Sequence, residues 1–468
     1  MQSDSLKKSR IPDSLVLIFG MIFLAQMLSY IIPQGMFERE VQNSSSREMI
    51  VPGSYEGLLP DQLVSIEPWT FLAAIPKGLA SAQDIIFLVF LVGGVIALLR
   101  RSGAIDALLL TAVRYFERAP SLLIGGTMLL FGAGSFTIGM GEEYIALMPL
   151  LVTMCLALRM DAIVAGGIVI VAGGIGWATA GINPFGVLIA QDISGLAPTS
   201  GLWFRMILFL VFISIAFNHV YRYATAIKED PSKSLLSKID YSIGFEPPAD
   251  VKLTPQRLAI LTLFIGGIGF FVYGAQSKGW YISELNIIFL AIGLATAVIS
   301  RMGASETSDT FLSGARDMTT AAIIIGFARA IEVTLSDGQI IDTIIYYMAS
   351  LLNGAGSSMA AVGMLIFQSV INLFIPSGSG QAFVTMPIMS PIAAITGVPQ
   401  QTAVLAYQFG DGFTNMVVPT NAVFIATLAM AKVPYAIWIK FVWPLLMKLL
   451  ALAALVLVIT VQFPAIFI

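Results

Sequence analysis

A chain of 468 residues that is 57% hydrophobic and only 11% charged, with a mean hydropathy of +0.87, falls outside the soluble globular class, in which roughly a quarter of residues are charged. A single cysteine, Cys155, excludes intrachain disulfides and cysteine-rich metal sites; the net charge of -3 says little about partners, and the sequence has no basic patch for nucleic acid. What remains is a polytopic, all-α membrane protein with lipid as its surroundings.

In chain order, Lys7, Lys8 and Arg10 precede a first apolar run over residues 14–33. That run is too long for the core of a cleaved signal and predicts a retained helix with the N-terminus in the cytoplasm. Residues 35–67, with Glu38, Glu40, Glu48, Glu56, Asp61 and Glu67, read as a loop on the outer side. A helix over 85–99 ends at Arg100-Arg101 and returns the chain to the cytoplasm, and residues 103–118, carrying Arg114 and Arg118, read as an amphipathic stretch along the interface.

Residues 120–158 form two apolar limbs around the polar, glycine-rich tip GAGSFTIGMGEE. Limbs of roughly a dozen to fifteen residues fall short of the about 20 needed to span, so a re-entrant hairpin is expected. Residues 160–196 cross as a helix broken at GWATAGINPF, and residues 201–221 cross back. A hydrophilic, basic linker, 223–254, separates this first repeat (1–222) from the second (255–468). The second begins with helices over 258–273 and 285–299, then 319–333 and an acidic stretch over 335–354. A second hairpin follows over 357–396 with tip IPSGSGQAF, then a broken helix over 398–431 interrupted at DGFTNMVVPTN, and a last helix that leaves the C-terminus outside.

A constant, gap-free offset superposes Met148-Pro149 on Met386-Pro387, Gly174 on Gly412 and Asn183 on Asn421. Backbone that leaves the helix at membrane depth survives only when buried in protein or lining a wet cavity. Paired interruptions in two halves point to the binding site of a secondary transporter built from inverted repeats. The charge asymmetry between 103–118, with its arginines, and 335–354, with Asp337 and Asp342, is what inversion predicts.

The expected substrate-binding residues are Glu142, Glu143 and Asn183 from the first half and Ser377, Gly378, Ser379, Gln381, Asp411 and Asn421 from the second. Ser135, Thr137, Thr179, Thr414, Asn415 and Thr420 offer oxygens to an ion such as sodium. Carboxylates at mid-membrane are costly and functional by default, so Glu142, Glu143 and Asp411 argue for a cationic or zwitterionic substrate or for cation coupling. For Asn183 and Asn421, capping and bracing of the breaks is the alternative to direct contact. Arg329 and Glu332, one helical turn apart, are expected to pair with each other. His219, the only histidine, reads as an interfacial residue without a metal or catalytic partner.

An intramembrane protease is the competing class. The chain has no Tyr-Asp dipeptide, and His219 is at the wrong depth for a serine dyad, so no enzyme activity and no cofactor are expected. A channel fits less well than a carrier, because hairpins within a two-half symmetry suit alternating access.

At AIPKGL (74–79), GMGEE, GINPF (181–185), PSGSGQA (376–382) and FGDGFTNMVVPTN (409–421) the chain resembles the YfcC-type branch of the C4-dicarboxylate anaerobic carrier (DcuC-like) family, in the ion transporter superfamily. The resemblance implies an elevator-type carrier, commonly dimeric, in the bacterial inner membrane, with basic amino acid exchange of the arginine/ornithine kind. It also implies, as the alternative, a sodium- or proton-coupled C4-dicarboxylate carrier. The sodium-coupled relatives carry Ser-Asn-Thr tips, whereas this chain has Ser135-Phe136-Thr137 and Ser377-Gly378-Ser379.

Overall fold

Without water to receive them, backbone N–H and C=O groups drive long apolar runs into helices. The computed structural model describes residues 14–41, 48–51, 53–108, 111, 119–141, 143–183, 185–237, 252–278, 280, 282–352 and 356–467. Most of the expected interfacial stretch 103–118 and the middle of the linker lie outside them. The helices are α1 (Ser14–Ile31), α2 (Thr70–Ser81), α3 (Gln83–Arg101), α4 (Pro120–Ile138), α5 (Glu143–Ala157), α6 (Ala162–Ala178), α7 (Val187–Ile193), α8 (Leu202–Glu229) and α9 (Pro255–Lys278). They continue with α10 (Ile282–Ile299), α11 (Ala304–Asp317), α12 (Thr319–Asp337), α13 (Ile341–Ser350), α14 (Ser357–Ile371), α15 (Gly378–Thr396), α16 (Gln400–Thr414), α17 (Ala422–Met430) and α18 (Tyr435–Gln462). Among the described residues five helices are long and apolar enough to cross a membrane. The protein is a multi-pass membrane protein.

The helical architecture stands, and it differs from the sequence reading in detail. The loop after α1 adds two short antiparallel ribbons to the helices, β1 (Gly35–Met36) with β4 (Glu56–Gly57) and β2 (Arg39–Val41) with β3 (Glu48–Ile50). Asp342 anchors this loop: both its carboxylate oxygens accept from Arg39 Nη2 at 2.8 Å, and Oδ2 also accepts from the Phe37 N–H at 3.0 Å. Helix α2 forms although Pro76 sits inside it, where proline usually ends a helix. Helix α11 was unread because Glu306, Asp309, Arg316 and Asp317 interrupt its apolar pattern. The stretch 335–354 divides between the end of α12 and α13, and the first hairpin limb, α4, is 19 residues long rather than too short to span.

The packing repeats itself. In the first half α4 lies on α6, and in the second α14 lies on α16. The later hairpin limbs cross over, α5 against α17 and α15 against α7, while α2 pairs with α12 and α3 with α11. Small residues permit these approaches: a Cβ added to Gly78 would come within 2.6 Å of the Ala330 nitrogen. At the centre α6 crosses α16, and a Cβ on Gly174 would lie 2.9 Å from the Gly412 carbonyl oxygen. Residues 401–414 of α16 are buried without interruption, as expected of a helix with no lipid or water face. Helix α6 carries a π-helical turn, Gly167–Val171, of the kind that often marks functional segments.

Candidate functional site

The two hairpin tips and the two helix breaks meet around the α6–α16 crossing, and side chains take up the backbone groups that the breaks release. Helix α4 ends at Gly139, whose φ of 74° is left-handed, a conformation glycine adopts without strain. The chain then turns so that the Met140 carbonyl accepts from Ser135 Oγ (2.9 Å) and Trp177 Nε1 (2.9 Å). Asn183 stitches tip to break: its Nδ2 donates to the Ser135 carbonyl at 3.1 Å and its Oδ1 accepts the Phe185 N–H at 2.8 Å. The Phe136 carbonyl accepts from the Gly181 and Ile182 N–H groups. Thr137 and Thr179 donate to carbonyls one turn back in their own helices, Ala133 and Ile175. Glu142 lies outside the described residues; Glu143 opens α5, and its side chain also lies outside them.

The second break is more polar. Asn372, at the end of α14, donates through Nδ2 to the Asp411 carbonyl (3.1 Å), Thr414 Oγ1 (2.8 Å) and Asn415 Oδ1 (2.9 Å). Asn415 Nδ2 donates to Asp411 Oδ1 at 2.8 Å, and Asn421 Nδ2 donates to Asn415 Oδ1 at 2.8 Å. Asn421 also caps α17, its Oδ1 accepting the Phe424 N–H. Thr420 Oγ1 donates to the Leu373 carbonyl, Trp438 Nε1 to the Met416 carbonyl and the Tyr435 hydroxyl to the Val417 carbonyl.

At tip 2, Ser377 caps α15 by accepting the Gly380 N–H, and the Gly378 carbonyl accepts from the Tyr407 hydroxyl. A side chain on Gly378 would press on the Trp177 ring and come within 3.1 Å of Asp411 Oδ2. Gly378 therefore joins tip 2, the first break and the second. Ser379 follows in the first turn of α15, whose N–H groups form the positive end of that half-helix. Gln381 points away from this junction, donating to the Gln368 carbonyl and side-chain oxygen at 2.9 and 2.7 Å.

The structure thus brings Gly378, Asp411, Thr414, Asn415 and Asn421 into one cluster. Ser135, Thr137, Thr179 and Asn183 lie together at the other tip. Asp411 is 2% exposed, with Oδ1 held by Asn415 and no described partner for Oδ2. Asn372 Oδ1 and Gln381 Oε1 are buried acceptors that receive no hydrogen bond among the described residues. A buried carboxylate with one oxygen unpaired among the described residues, beside a positive helix end, can take a group bearing both a cationic donor and an acidic end. No cluster of three or more metal-ligating His, Cys, Asp or Glu occurs among the described residues.

Sequence reasoning passed over Arg205. It is fully buried in α8 and donates to Gln408 Oε1 (2.9 Å), the Ser200 carbonyl (2.9 Å) and Gln401 Oε1 (3.0 Å). Because the guanidinium only donates, it orients the Gln408 amide so that Nε2 faces and donates to the Ala180 carbonyl in the first break, at 2.7 Å. Trp177, Tyr407 and Asn372 were missed as well; an aromatic in an apolar run gives no signal, and Asn372 precedes the tip motif. Arg329 and Glu332 do pair, through Arg329 Nη1 and Glu332 Oε2 at 2.5 Å. His219 packs on Phe441, its ring nitrogen 3.0 Å from the Phe441 carbonyl.

A family model described as C4-dicarboxylate anaerobic carrier matches residues 11–462. A protein of Escherichia coli K12 bearing the name "Putative basic amino acid antiporter YfcC" is 31% identical, over 98% of this chain and 98% of its own length. An uncharacterized protein of Haemophilus influenzae is 29% identical, over 98% and 99%. Among solved structures, the YdaH transporter of Alcanivorax borkumensis covers 97% of this chain and 99% of its own at 14% identity, with a TM-score of 0.41.

Proposed function

The chain belongs to the C4-dicarboxylate anaerobic carrier family, and from that premise we propose that it is a secondary active transporter exchanging small, basic amino acids of the arginine/ornithine class across the bacterial inner membrane. The observation that carries this reading is Asp411, a buried carboxylate whose Oδ2 has no hydrogen-bond partner among the described residues and lies toward the Gly378 end of α15. Left alone, such an oxygen costs several kcal/mol; a substrate ammonium or guanidinium satisfies it. The N–H groups at the start of α15, around Gly378 and Ser379 beside Ser377, receive the substrate carboxylate. Glu142 and Glu143 at tip 1 add negative charge for the cationic side chain. Asn183 and Asn421 brace the breaks, since both have their amide groups committed to protein partners.

Two inverted repeats organise the molecule, residues 1–222 and 255–468 joined by a cytoplasmic linker, with the N-terminus inside and the C-terminus outside. Support comes from the exchange pattern of the packing, α5 on α17 and α15 on α7, and from contact between the equivalent glycines Gly174 and Gly412. Residues near a two-fold axis meet their own counterparts. Helices α4–α7 and α14–α17 form the unit that moves, elevator fashion, against a scaffold of α1–α3 and α9–α12 that also pairs two protomers. A sodium ion or a proton is the coupling ion of the second reading, a C4-dicarboxylate carrier, which the family's description favours.

The two readings part in one experiment. The apparent melting temperature of the purified protein is measured with arginine, ornithine, neutral amino acids and C4-dicarboxylates, each with sodium or potassium. A ligand that binds the folded state raises it. Stabilisation by arginine or ornithine that disappears in Asp411→Asn is the expected result. Stabilisation by a dicarboxylate with sodium, unaffected by Asp411→Asn, overturns the basic-amino-acid reading.

A further inference from the structure

Where α3 ends and α10 passes into α11, a cavity of about 300 Å³ opens at the helix ends. Arg101, Arg257 and Arg301 line it, with Ser102, Ser300 and Glu306. Glu306 Oε1 is held at 2.8 Å by both Nε and Nη2 of Arg101. The other two guanidiniums have no carboxylate partner among the described residues. Arg257 is aimed by neutral carbonyls, its Nη1 donating to that of Lys252 at 2.7 Å and its Nε to that of Ser102 at 3.3 Å, and Nη2 has no hydrogen bond among the described residues. Gly103, left-handed at φ 71°, lets the Arg257 guanidinium lie against the backbone, where a Cβ would come within 3.0 Å.

Beside its charge, the arginine-lined wall carries an unpaired hydroxyl. Arg301 follows the C-terminus of α10 in the left-handed conformation, φ 57°, as Arg159 and Lys432 do after other helices, and its charge suits the negative end of the helix. Ser300 Oγ, also lining the cavity, is buried and has no hydrogen-bond partner among the described residues. A planar guanidinium pair with a spare hydroxyl donor matches a tetrahedral oxyanion, which guanidiniums bind in bidentate fashion. Basic pockets between helices on the arginine-rich face of a membrane protein are suited to phosphate head groups.

The geometry points to a phosphate-binding site formed by Arg257, Arg301 and Ser300 at the α3, α9, α10 and α11 junction. It recognises a singly or doubly charged phosphate, carried either by an anionic phospholipid headgroup or by a free phosphate ion. The site does not depend on the transport assignment.

The full-length protein in neutral detergent provides the test, with apparent melting temperature as the readout. One arm adds phosphatidylglycerol against phosphatidylcholine; the other adds inorganic phosphate against chloride at matched ionic strength. A rise of several degrees in the first arm alone identifies the lipid, and a rise in the second identifies free phosphate; either is expected to fall by at least half in Arg257→Gln or in Arg301→Gly. Arg301→Gly relaxes the backbone while removing the charge, so its loss of response is not loss of folding. No rise in either arm, or full responses in both variants, overturns the proposal.

Discussion

Arg205 shows how a side chain far along the sequence from its partners can set the geometry of a break. Its acceptors on α16, Gln401 and Gln408, are 196 and 203 residues away in the chain, so no local pattern announces the network. Asp411, Asn183 and Asn421 were legible because each is a polar residue in an apolar setting with no neighbour to solvate it. Arg205 instead looks like an ordinary cation one turn into a helix, where snorkelling to the interface is the usual fate. Its burial among neutral oxygens makes it a brace between the first break and the second half. In Arg205→Lys a compact ammonium cannot serve all three acceptors, and an abandoned buried amide oxygen costs about 1–3 kcal/mol. The variant should therefore melt several degrees lower; an unchanged melting temperature would show that the network holds nothing together.

At the scale of elements, the crossing of α6 and α16 depends on glycines. A Cβ on Gly412 would strike the backbone of Ala178, and overpacking of this kind costs about 1–3 kcal/mol. Gly126, on α4, has nothing within 4 Å, so alanine there should be neutral or gain roughly 0.5–1 kcal/mol from helix propensity. Gly412→Ala is expected to lower the melting temperature or the yield of folded protein while Gly126→Ala does neither; equal behaviour would mean that the crossing can relax. The outer limits of the second hairpin were readable from the length of its apolar run, as at the start of α14 and the end of α15. Helices α2 and α11 were not, because tertiary contacts with α12 and α3 stabilise them against Pro76 and against their own polarity, and single-sequence patterns carry no account of such contacts. The β-ribbons escaped notice for the same reason: Asp342 and Thr343, from the other half, hold them through Arg39 and Tyr55.

For the whole molecule, what matters is which contacts stay fixed and which are exchanged during transport. Helices α4 with α6, and α14 with α16, pack within the proposed moving unit, whereas α12 with α17 and α3 with α5 join that unit to the scaffold. An elevator keeps the first set and slides the second. Since Cys155 is the only cysteine and is buried, engineered pairs can be cross-linked without interference from reactive native thiols. A disulfide across α12 and α17 should abolish substrate exchange in proteoliposomes while leaving ligand-induced thermal stabilisation intact, because the site itself is undisturbed. A disulfide across α4 and α6 should leave exchange near the level of the uncross-linked protein. If exchange survives the α12–α17 link and fails with the α4–α6 link, the motion lies inside the hairpin unit, as in a gate. The two broken helices would then open and close a stationary site instead of carrying it across the membrane.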